Sequence, residues 1–163
     1  MPYKAIDVAK WFVSHFDPDV GDVITPLKLQ KLLYYAEAWS QVLLDDELFV
    51  EQIQAWTHGP VVLEVYEGFK DYGWRPIDPL EVELELDSET EEILNQILAV
   101  YGELSARTLE KMTHSDQPWL KTREGYAIEA RCNEIIPKQE IKSSFLDKYR
   151  RELNEPTKEQ EAV

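Results

Sequence analysis

The residue types that most often carry chemistry are sparse in this sequence. Histidine occurs three times, at His15, His58 and His114, and Cys132 is the single cysteine. None of them falls into an H-E-x-x-H, C-x-x-C or H-x-E spacing, so the sequence predicts no metal site. A lone cysteine also cannot form an internal disulfide.

Nucleotide-binding loops and nucleophile elbows are built from glycine-rich turns, and this chain has six glycines. It contains neither a phosphate-binding glycine loop nor a G-x-S-x-G turn. Its 32 acidic residues would allow almost any two carboxylates to be paired as acid and base, so such a pairing is uninformative. We therefore expect no cofactor and no enzymatic activity.

His58 and His114 have the most distinctive context among the polar residues. Each follows a threonine and precedes a proline-containing break, in WTHGP and THSDQPW. Such a histidine can bind loop carbonyls and fix the crossing of two helices, which is the role we expect. The alternative is an enzyme with a site near these two imidazoles, which would require a pocket with convergent polar groups and abnormal titration.

The charge balance limits the classes of partner. Seventeen basic against 32 acidic residues give a formal net charge of −15 and a pI near 4.5. Such a surface repels phosphate backbones and anionic lipids, so we expect no direct binding of nucleic acid or membrane, whereas encounter with basic proteins is favoured. The alternative is that the acidity only keeps the chain soluble.

The sequence also indicates a compartment. Its first residues lack the apolar run of a signal peptide, and nowhere do 18 apolar residues follow one another. We therefore expect a cytoplasmic protein of bacterial or phage type.

The densest charge feature runs from Glu81 to Glu92, with seven acidic residues and no basic one. Over residues 80–86, leucine or valine alternates strictly with glutamate, which is the period of a strand with one buried and one acidic face. Carboxylates about 7 Å apart on that face would repel one another unless a cation or a basic partner lies there. The alternative is that the charges keep an exposed sheet edge from pairing with another copy.

A tryptophan in the loop YGWRP precedes this acidic segment and is expected to be exposed. An exposed tryptophan beside glutamates is a reasonable anchor for a protein partner, although it could instead cover the third helix. The predicted partner-binding face consists of Trp74, Glu81, Glu83 and Glu85.

The elements that must position these residues are organised around one helix, from Ile24 to Trp39, in ITPLKLQKLLYYAEAW. Thr25 can cap it, and Pro26 fits its first position. Apolar residues cover about half of its circumference, so it should have neighbours on several sides. Its other side is a second candidate surface for a partner, unless the last helix covers it, and consists of Gln30, Tyr34, Glu37 and Gln41.

Apolar spacing predicts further helices along the chain. The first runs from Ala5 to Phe16, and the next from Val61, after Pro60, to Tyr72, with Gly73 ending it. A further helix starts at a capping box, Ser88–Glu91, and ends at Gly102, and Ser105 caps another that continues through Met112. A short helical turn is expected from Trp119 to Arg123, and a last helix from Ile135-Ile136-Pro137 to Tyr149.

Together these elements predict a mainly α protein. It should be a single compact helical domain of about six or seven helices with a small two- or three-stranded β-sheet on one side. Residues 50–57 are the only plausible partner for the strand predicted over 80–86. A length of 163 residues fits one domain, which we place at residues 1–153 and follow with a mobile polar tail at 154–163.

Three blocks of this sequence resemble a known family. ITPLKLQKLLYYAEAW, then Leu48-Phe49 leading into IQAWTHGPVVLEVYEGFKDYG, and then THSDQPW occur in the order found in the Panacea domain, the SocA-like or phage-associated antitoxin family. The resemblance covers roughly residues 3–150. Leu63 stands where the family often has proline. The family pattern falls on Pro26, Leu29, Gln30, Lys31, Leu33, Tyr34, Tyr35, Trp39, Trp56, Gly59, Pro60, Val61, Tyr66, His114, Pro118 and Trp119, most of which we interpret as core or turn residues. We assign a structural role to Pro26, Leu29, Trp39, Trp56, His58, Gly59, Pro60, Tyr66, His114, Pro118 and Trp119.

The resemblance implies a mostly helical antitoxin that neutralises a toxin by direct binding in a bacterial or phage toxin–antitoxin system. We therefore predict a non-enzymatic protein whose partner is a cognate toxin, more basic than the chain itself. The resemblance also implies an alternative, a proteolytic adaptor that delivers a toxin to a cytoplasmic protease. In that case the tail at 154–163 would be the protease-docking segment.

Overall fold

A computed structural model describes residues 2–154 of the chain. The predicted polar tail lies outside this range except for Asn154, which ends the last helix. The described residues confirm a mainly α fold with seven helices and one three-stranded sheet. The elements are α1 (Ala5–Ser14), α2 (Pro26–Leu44), β1 (Ile53–Trp56), β2 (Gly59–Val61), α3 (Leu63–Phe69), α4 (Ser88–Tyr101), α5 (Ala106–His114), α6 (Gln117–Thr122), β3 (Ile135–Ile136) and α7 (Lys138–Asn154).

α2 is the central element, and it packs against α1, α3, α4, α5, α7 and β2. It begins as predicted, because the Thr25 side chain accepts a hydrogen bond from the backbone N–H of Lys28 at 3.3 Å and Pro26 follows at the first helical position. It ends at Asp45, which adopts a left-handed conformation with φ 54°. The other helices therefore assemble around one long helix with fixed ends.

The polar side of α2 is not an exposed surface, and the alternative that the last helix covers it holds for Tyr34. Gln30, Tyr34, Glu37 and Gln41 are each at most 6% exposed. Tyr34 lies under α7, where the Phe145 ring meets it edge-on with centroids 5.7 Å apart. Because other elements pack against α2 on several sides, these four side chains belong to the interior.

Glu37 uses its buried position to hold the segment that follows α2. Its carboxylate accepts a hydrogen bond from the backbone N–H of Leu48 at 3.0 Å and pairs with Lys138 Nζ at 2.8 Å. Burial raises the pKa of this carboxyl, whereas the charge of Lys138 acts in the opposite direction. The pair links α2 to the start of α7.

The sheet has the strand order β2-β1-β3, and both pairings are antiparallel. Two predicted helix starts are therefore wrong. Pro60 lies in β2, opposite Ala55, and Ile135 and Ile136 form β3, so α3 and α7 begin further along the chain. Proline is tolerated in β2 because this is an edge strand, where a missing N–H need not be replaced.

The strand predicted over residues 80–86 does not form. This segment runs without secondary structure into α4, and none of the described residues pairs with it as a strand. The alternation is nevertheless real, because its apolar side chains are half-buried against the core and its glutamates are exposed. The alternating pattern predicts which side of an extended segment is buried. A strand forms only if a neighbouring segment also offers free backbone hydrogen-bonding groups.

Other helix limits differ from the predictions by one or two residues. Asp87, rather than Ser88, caps α4, because its carboxylate accepts hydrogen bonds from both the N–H and the hydroxyl of Thr90, at 2.9 and 2.7 Å. Ser105 caps α5 as predicted and accepts from the Thr108 N–H at 3.1 Å. α1 is two residues shorter than expected, and α6 begins two residues before Trp119.

Replacing Glu37 with alanine should destabilise the fold. The Leu48 amide and the buried ammonium of Lys138 would lose their acceptor, so we expect the free energy of unfolding to fall by about 3 kcal/mol. Urea unfolding followed by circular dichroism measures this change. The control is Glu103→Ala, which removes an exposed carboxylate and should change stability by less than about 0.5 kcal/mol. Equal unfolding midpoints in the two variants would contradict the role assigned to Glu37.

Candidate functional site

A groove of about 970 Å³ opens beside the first turns of α2. Its other walls are the β1–β2 hairpin, α3 with the turn that follows it, and residues 131–133. The first two sequence blocks that resemble the antitoxin family meet at this groove. The family-pattern residues that line it are Pro26, Leu29, Gln30, Trp56, Val61 and Tyr66, and His58 lies among them.

Aromatic side chains dominate the groove. The rings of Trp56 and Tyr66 meet edge-on with centroids 4.8 Å apart, and the ring of Trp74 meets that of His58 at 6.1 Å. Trp74 is 75% exposed and Tyr66 38% exposed. Large apolar rings with few polar groups between them suit contact with a protein segment.

The predicted exposure of Trp74 is confirmed. Gly73, with φ 59°, ends the turn Lys70–Tyr72 after α3 and directs the chain so that Trp74 lies at the groove. The acidic part of the predicted face is also exposed but lies outside the groove. Glu81, Glu83 and Glu85 follow in the extended segment, and none of them lines the groove.

The two histidines of the sequence motifs meet at one carboxylate. Glu110 on α5 places Oε1 at 2.9 Å from His58 Nδ1 and at 3.9 Å from His114 Nε2. The His114 ring stacks on Trp119 with centroids 4.3 Å apart, and burial lowers the pKa of this imidazole. The hydrogen bond of the His58 ring thus goes to a carboxylate rather than to the loop carbonyl that we expected, and it still ties the hairpin turn to α5.

Lys31 lies next to the turn of the β1–β2 hairpin and is fully buried. Its ammonium donates a hydrogen bond to the backbone carbonyl of His58. Burial lowers the pKa of Lys31 to about 7, whereas the nearby carboxylate of Glu110 acts in the opposite direction. Gly59 adopts φ 120°, a conformation that favours glycine, and a Cβ at this position would displace the Lys31 amine.

Arg123 fixes the remaining wall of the groove. Its buried guanidinium donates to the carbonyls of Ala55 at 2.8 Å and Ala130 at 2.6 Å, and it lies over the Trp119 ring at 5.1 Å. Two further bonds, at 3.2 Å, reach the carbonyls of Ala127 and Ile128. The planar donor group therefore holds the 127–130 turn against β1.

The other family-pattern residues also form a framework. Trp119 Nε1 donates to the Trp56 carbonyl at 2.9 Å, and Trp39 Nε1 donates to the Tyr101 hydroxyl at 3.0 Å. Pro118 is buried at the start of α6. The Gln30 amide bonds both the N–H and the carbonyl of Val62, at 2.9 and 3.2 Å, and so fixes the start of α3.

Comparison with known families identifies a match that includes residues of this site. The family model described as antitoxin SocA-like, Panacea domain, matches residues 29–120, which is more than half of the chain. The chain belongs to the SocA-like Panacea antitoxin family. No curated protein and no solved structure matches it. The Panacea match includes the hairpin, α3 and both imidazoles, and membership in an antitoxin family implies a toxin partner in general and suggests a role other than catalysis.

Two further observations concern the part of this Panacea chain from residue 2 to residue 154. No three histidine, cysteine, aspartate or glutamate side chains within it are arranged to hold a metal ion. None of its helices combines the length and the apolar composition that crossing a bilayer requires.

The sequence analysis missed three residues that organise the site. Lys31 had a detectable signal, because it is a charged residue within the apolar run of α2, and its family match was noted without a role for its amine. Glu110 and Arg123 gave no signal, since each occupies an ordinary position on or after a short helix. Their importance comes from distant carbonyls and imidazoles that only the fold brings near.

The lowered pKa of Lys31 predicts that stability rises with pH. The amine titrates near pH 7 in the folded chain and about pH 10.4 when unfolded, so between these values the unfolded state binds more protons. We expect the free energy of unfolding to increase by about 1 kcal/mol per pH unit from pH 7.5 to 9, relative to Lys31→Met. Urea unfolding of both proteins at several pH values measures the difference.

This comparison removes the contributions of other groups. Burial also lowers the pKa of Lys28, but that residue is present in both proteins and cancels in the difference. The pKa values of Tyr34 and Tyr35 are raised by burial, so these groups stay protonated in the folded state over this range. Parallel pH profiles for the two proteins would contradict the titration assigned to Lys31.

Proposed function

We propose that this Panacea-domain protein neutralises a cognate toxin by binding it directly, without catalysis. The observation that carries the proposal is Trp74, which is 75% exposed beside Tyr66 and Trp56 at the groove. Tryptophan is the residue type most enriched among energetic anchors of protein interfaces, and burying its ring against a partner would contribute about 2 kcal/mol or more. Family membership supports a toxin as that partner.

Charge supports a basic toxin. A net charge of −15 attracts a positively charged protein, and the exposed Glu81, Glu83 and Glu85 add an acidic ridge to that field. Such charges act mainly on the rate of encounter, over a screening distance of about 10 Å. In the mechanism we propose, the glutamates guide the toxin, Trp74 anchors it, and the antitoxin covers the surface that the toxin needs for its activity. We place this pairing in the cytoplasm, with no role for nucleic acid or membrane.

The first experiment tests neutralisation and its stoichiometry. The reading frame beside this one should arrest growth when expressed alone in a bacterial host, and co-expression should restore growth. With both proteins purified, toxin activity should fall linearly and reach zero near one molar equivalent of antitoxin. Trp74→Ala should weaken the complex by about tenfold or more and leave residual activity at that point. Val100→Ala, an exposed apolar residue on α4, should titrate like the wild type.

The same titration separates binding from catalysis near His58 and His114. One observation favours the enzymatic alternative, namely that His58 lines the groove and pairs with Glu110. An enzyme would inactivate the toxin completely at a small fraction of one equivalent and would lose this ability in His58→Gln. A binding protein requires near-equal amounts, with His58→Gln retaining the stoichiometry. A harmless neighbouring product, or sub-stoichiometric inactivation, would overturn the proposal.

Reversing the acidic ridge should slow association with the toxin. The triple variant Glu81→Lys, Glu83→Lys, Glu85→Lys should lower the association rate constant by about tenfold at low salt and flatten its dependence on salt. Surface plasmon resonance at two salt concentrations measures both quantities. The matched control reverses three exposed glutamates elsewhere and changes the net charge equally, through Glu103→Lys, Glu124→Lys and Glu129→Lys. Equal slowing by the two triples would assign the effect to net charge and reject the ridge.

The adaptor alternative rests on the tail, of which residues 155–163 lie outside the described range. Neutralisation by direct binding should proceed in the purified system, where no protease is present.

A further inference from the structure

We propose that the groove accepts a toxin segment in which an aspartate or glutamate side chain accompanies a large apolar residue, with Arg131 pairing the carboxylate. This inference rests on the proposed function and names the chemistry of the partner at the same site. The juxtaposition that carries it is an arginine without an ion-pair partner among residues 2–154 and exposed aromatic rings, all of which line the same groove.

The groove differs in charge from the rest of this acidic chain. Its permanently charged lining residues are Glu67, Lys70 and Arg131. Lys70 pairs with Glu67 at 2.8 Å, which leaves these two charges balanced. Arg131 forms no ion pair with any residue between 2 and 154. A protein with a net charge of −15 thus presents one unpaired positive charge at its aromatic groove.

The backbone on both sides of Arg131 is fixed. The carbonyl of Ala130 accepts hydrogen bonds from the Arg123 guanidinium at 2.6 Å and from the Thr57 hydroxyl at 3.2 Å. On the other side, Cys132 is buried at 4% exposure. The side chain of Arg131 itself is exposed. A partner carboxylate therefore meets a guanidinium whose attachment point is already ordered, which lowers the entropic cost of pairing.

Other residues that line the groove suit contact with an apolar side chain. Leu63, Tyr66 and Trp74 are 37%, 38% and 75% exposed. A volume of about 970 Å³ accommodates several side chains of an inserted segment. The segment would bury its apolar residue against these three side chains while its carboxylate reaches Arg131.

An acidic segment is compatible with a toxin that is basic as a whole, because the two interactions act over different distances. Steering depends on the total charge of each protein over about one screening length, roughly 10 Å. Pairing in the groove depends on contact, where a guanidinium and a carboxylate form two parallel hydrogen bonds. A lysine or arginine inserted there would instead meet Arg131 as a like charge, whereas Lys70 is balanced by Glu67.

The experiment uses the full-length chain and the toxin identified by the titration above. Arg131→Glu should raise the Kd for that toxin by about tenfold or more, because the pairing becomes a like-charge contact. The control is Arg150→Glu, which makes the same charge change at an exposed site on α7 away from the groove and should alter the Kd by less than about twofold. Urea unfolding verifies that both variants retain wild-type stability.

Charge exchange identifies the paired residue. Each aspartate and glutamate of the toxin is changed singly to arginine, and variants that still arrest growth are tested against Arg131→Glu. One of these toxin variants should be neutralised by the Arg131→Glu antitoxin. The same toxin variant should bind the wild-type antitoxin at least tenfold more weakly than the unmodified toxin does. This restoration would not arise from a purely structural role of Arg131.

The outcomes separate the two proposals. Failure of the wild-type chain to bind the toxin would reject the proposed function. Neutralisation by the wild type together with equal affinities for Arg131→Glu and Arg150→Glu would overturn only the present inference. The inference would also be overturned if Arg131→Glu lost binding and no toxin variant with an aspartate or glutamate changed to arginine restored it. This outcome includes the case in which Arg131 binds the C-terminal carboxylate of the toxin.

Discussion

The structure depends on hydrogen bonds that run from buried polar side chains of α2 to the backbones around it. A helix enclosed on all sides would ordinarily be apolar throughout. In this chain α2 carries amines, an amide and a carboxylate that form hydrogen bonds with backbone groups of irregular segments. Without these bonds, those backbone groups would be unpaired inside the protein. The contacts are Lys28 to the Gly102 carbonyl, Gln30 to both backbone groups of Val62, Lys31 to the His58 carbonyl and Glu37 to the Leu48 amide. Burying a charged amine for this purpose has a cost, which is visible in the lowered pKa of Lys31.

These bonds give the groove rigid walls even though little regular secondary structure surrounds it. Gln30 and Lys31 hold the start of α3 and the hairpin, and Arg123 holds the 127–130 turn. Of the residues that we propose for contact, Arg131 directly follows the turn that Arg123 holds, and Trp74 follows the turn Lys70–Tyr72 after α3. Framework and contact are thus carried by different side chains. A change at an exposed contact residue should therefore alter partner recognition without unfolding the protein.

Charge acts at two levels in this picture. Under the proposed function, the overall negative field, to which the exposed glutamates after Trp74 contribute, extends beyond the surface and would favour encounter with basic partners. The groove has the opposite local character, because Lys70 is balanced by Glu67 and Arg131 is not balanced. Specificity for one toxin would then come from the match between a local carboxylate and a local cation, whereas the speed of binding would come from the total charges.

Local patterns in the sequence determined the helical class, the start of α2 at its Thr25 cap, the cap at Ser105, the exposure of Trp74 and the side on which residues 80–86 are buried. Each of these follows from the conformation or the spacing of residues that are neighbours along the chain. Only the tertiary structure decided that the polar side of α2 is enclosed, that residues 80–86 lack a strand partner, and that Pro60 and Ile135 lie in strands. It alone placed the amine of Lys31 beneath His58 and the guanidinium of Arg123 among distant carbonyls. The reason is that periodicity shows which side of an element is apolar but not which element covers that side. The covering element is set by contacts between distant residues, such as the hydrogen bond between Lys28 and Gly102, which are 74 residues apart in the chain.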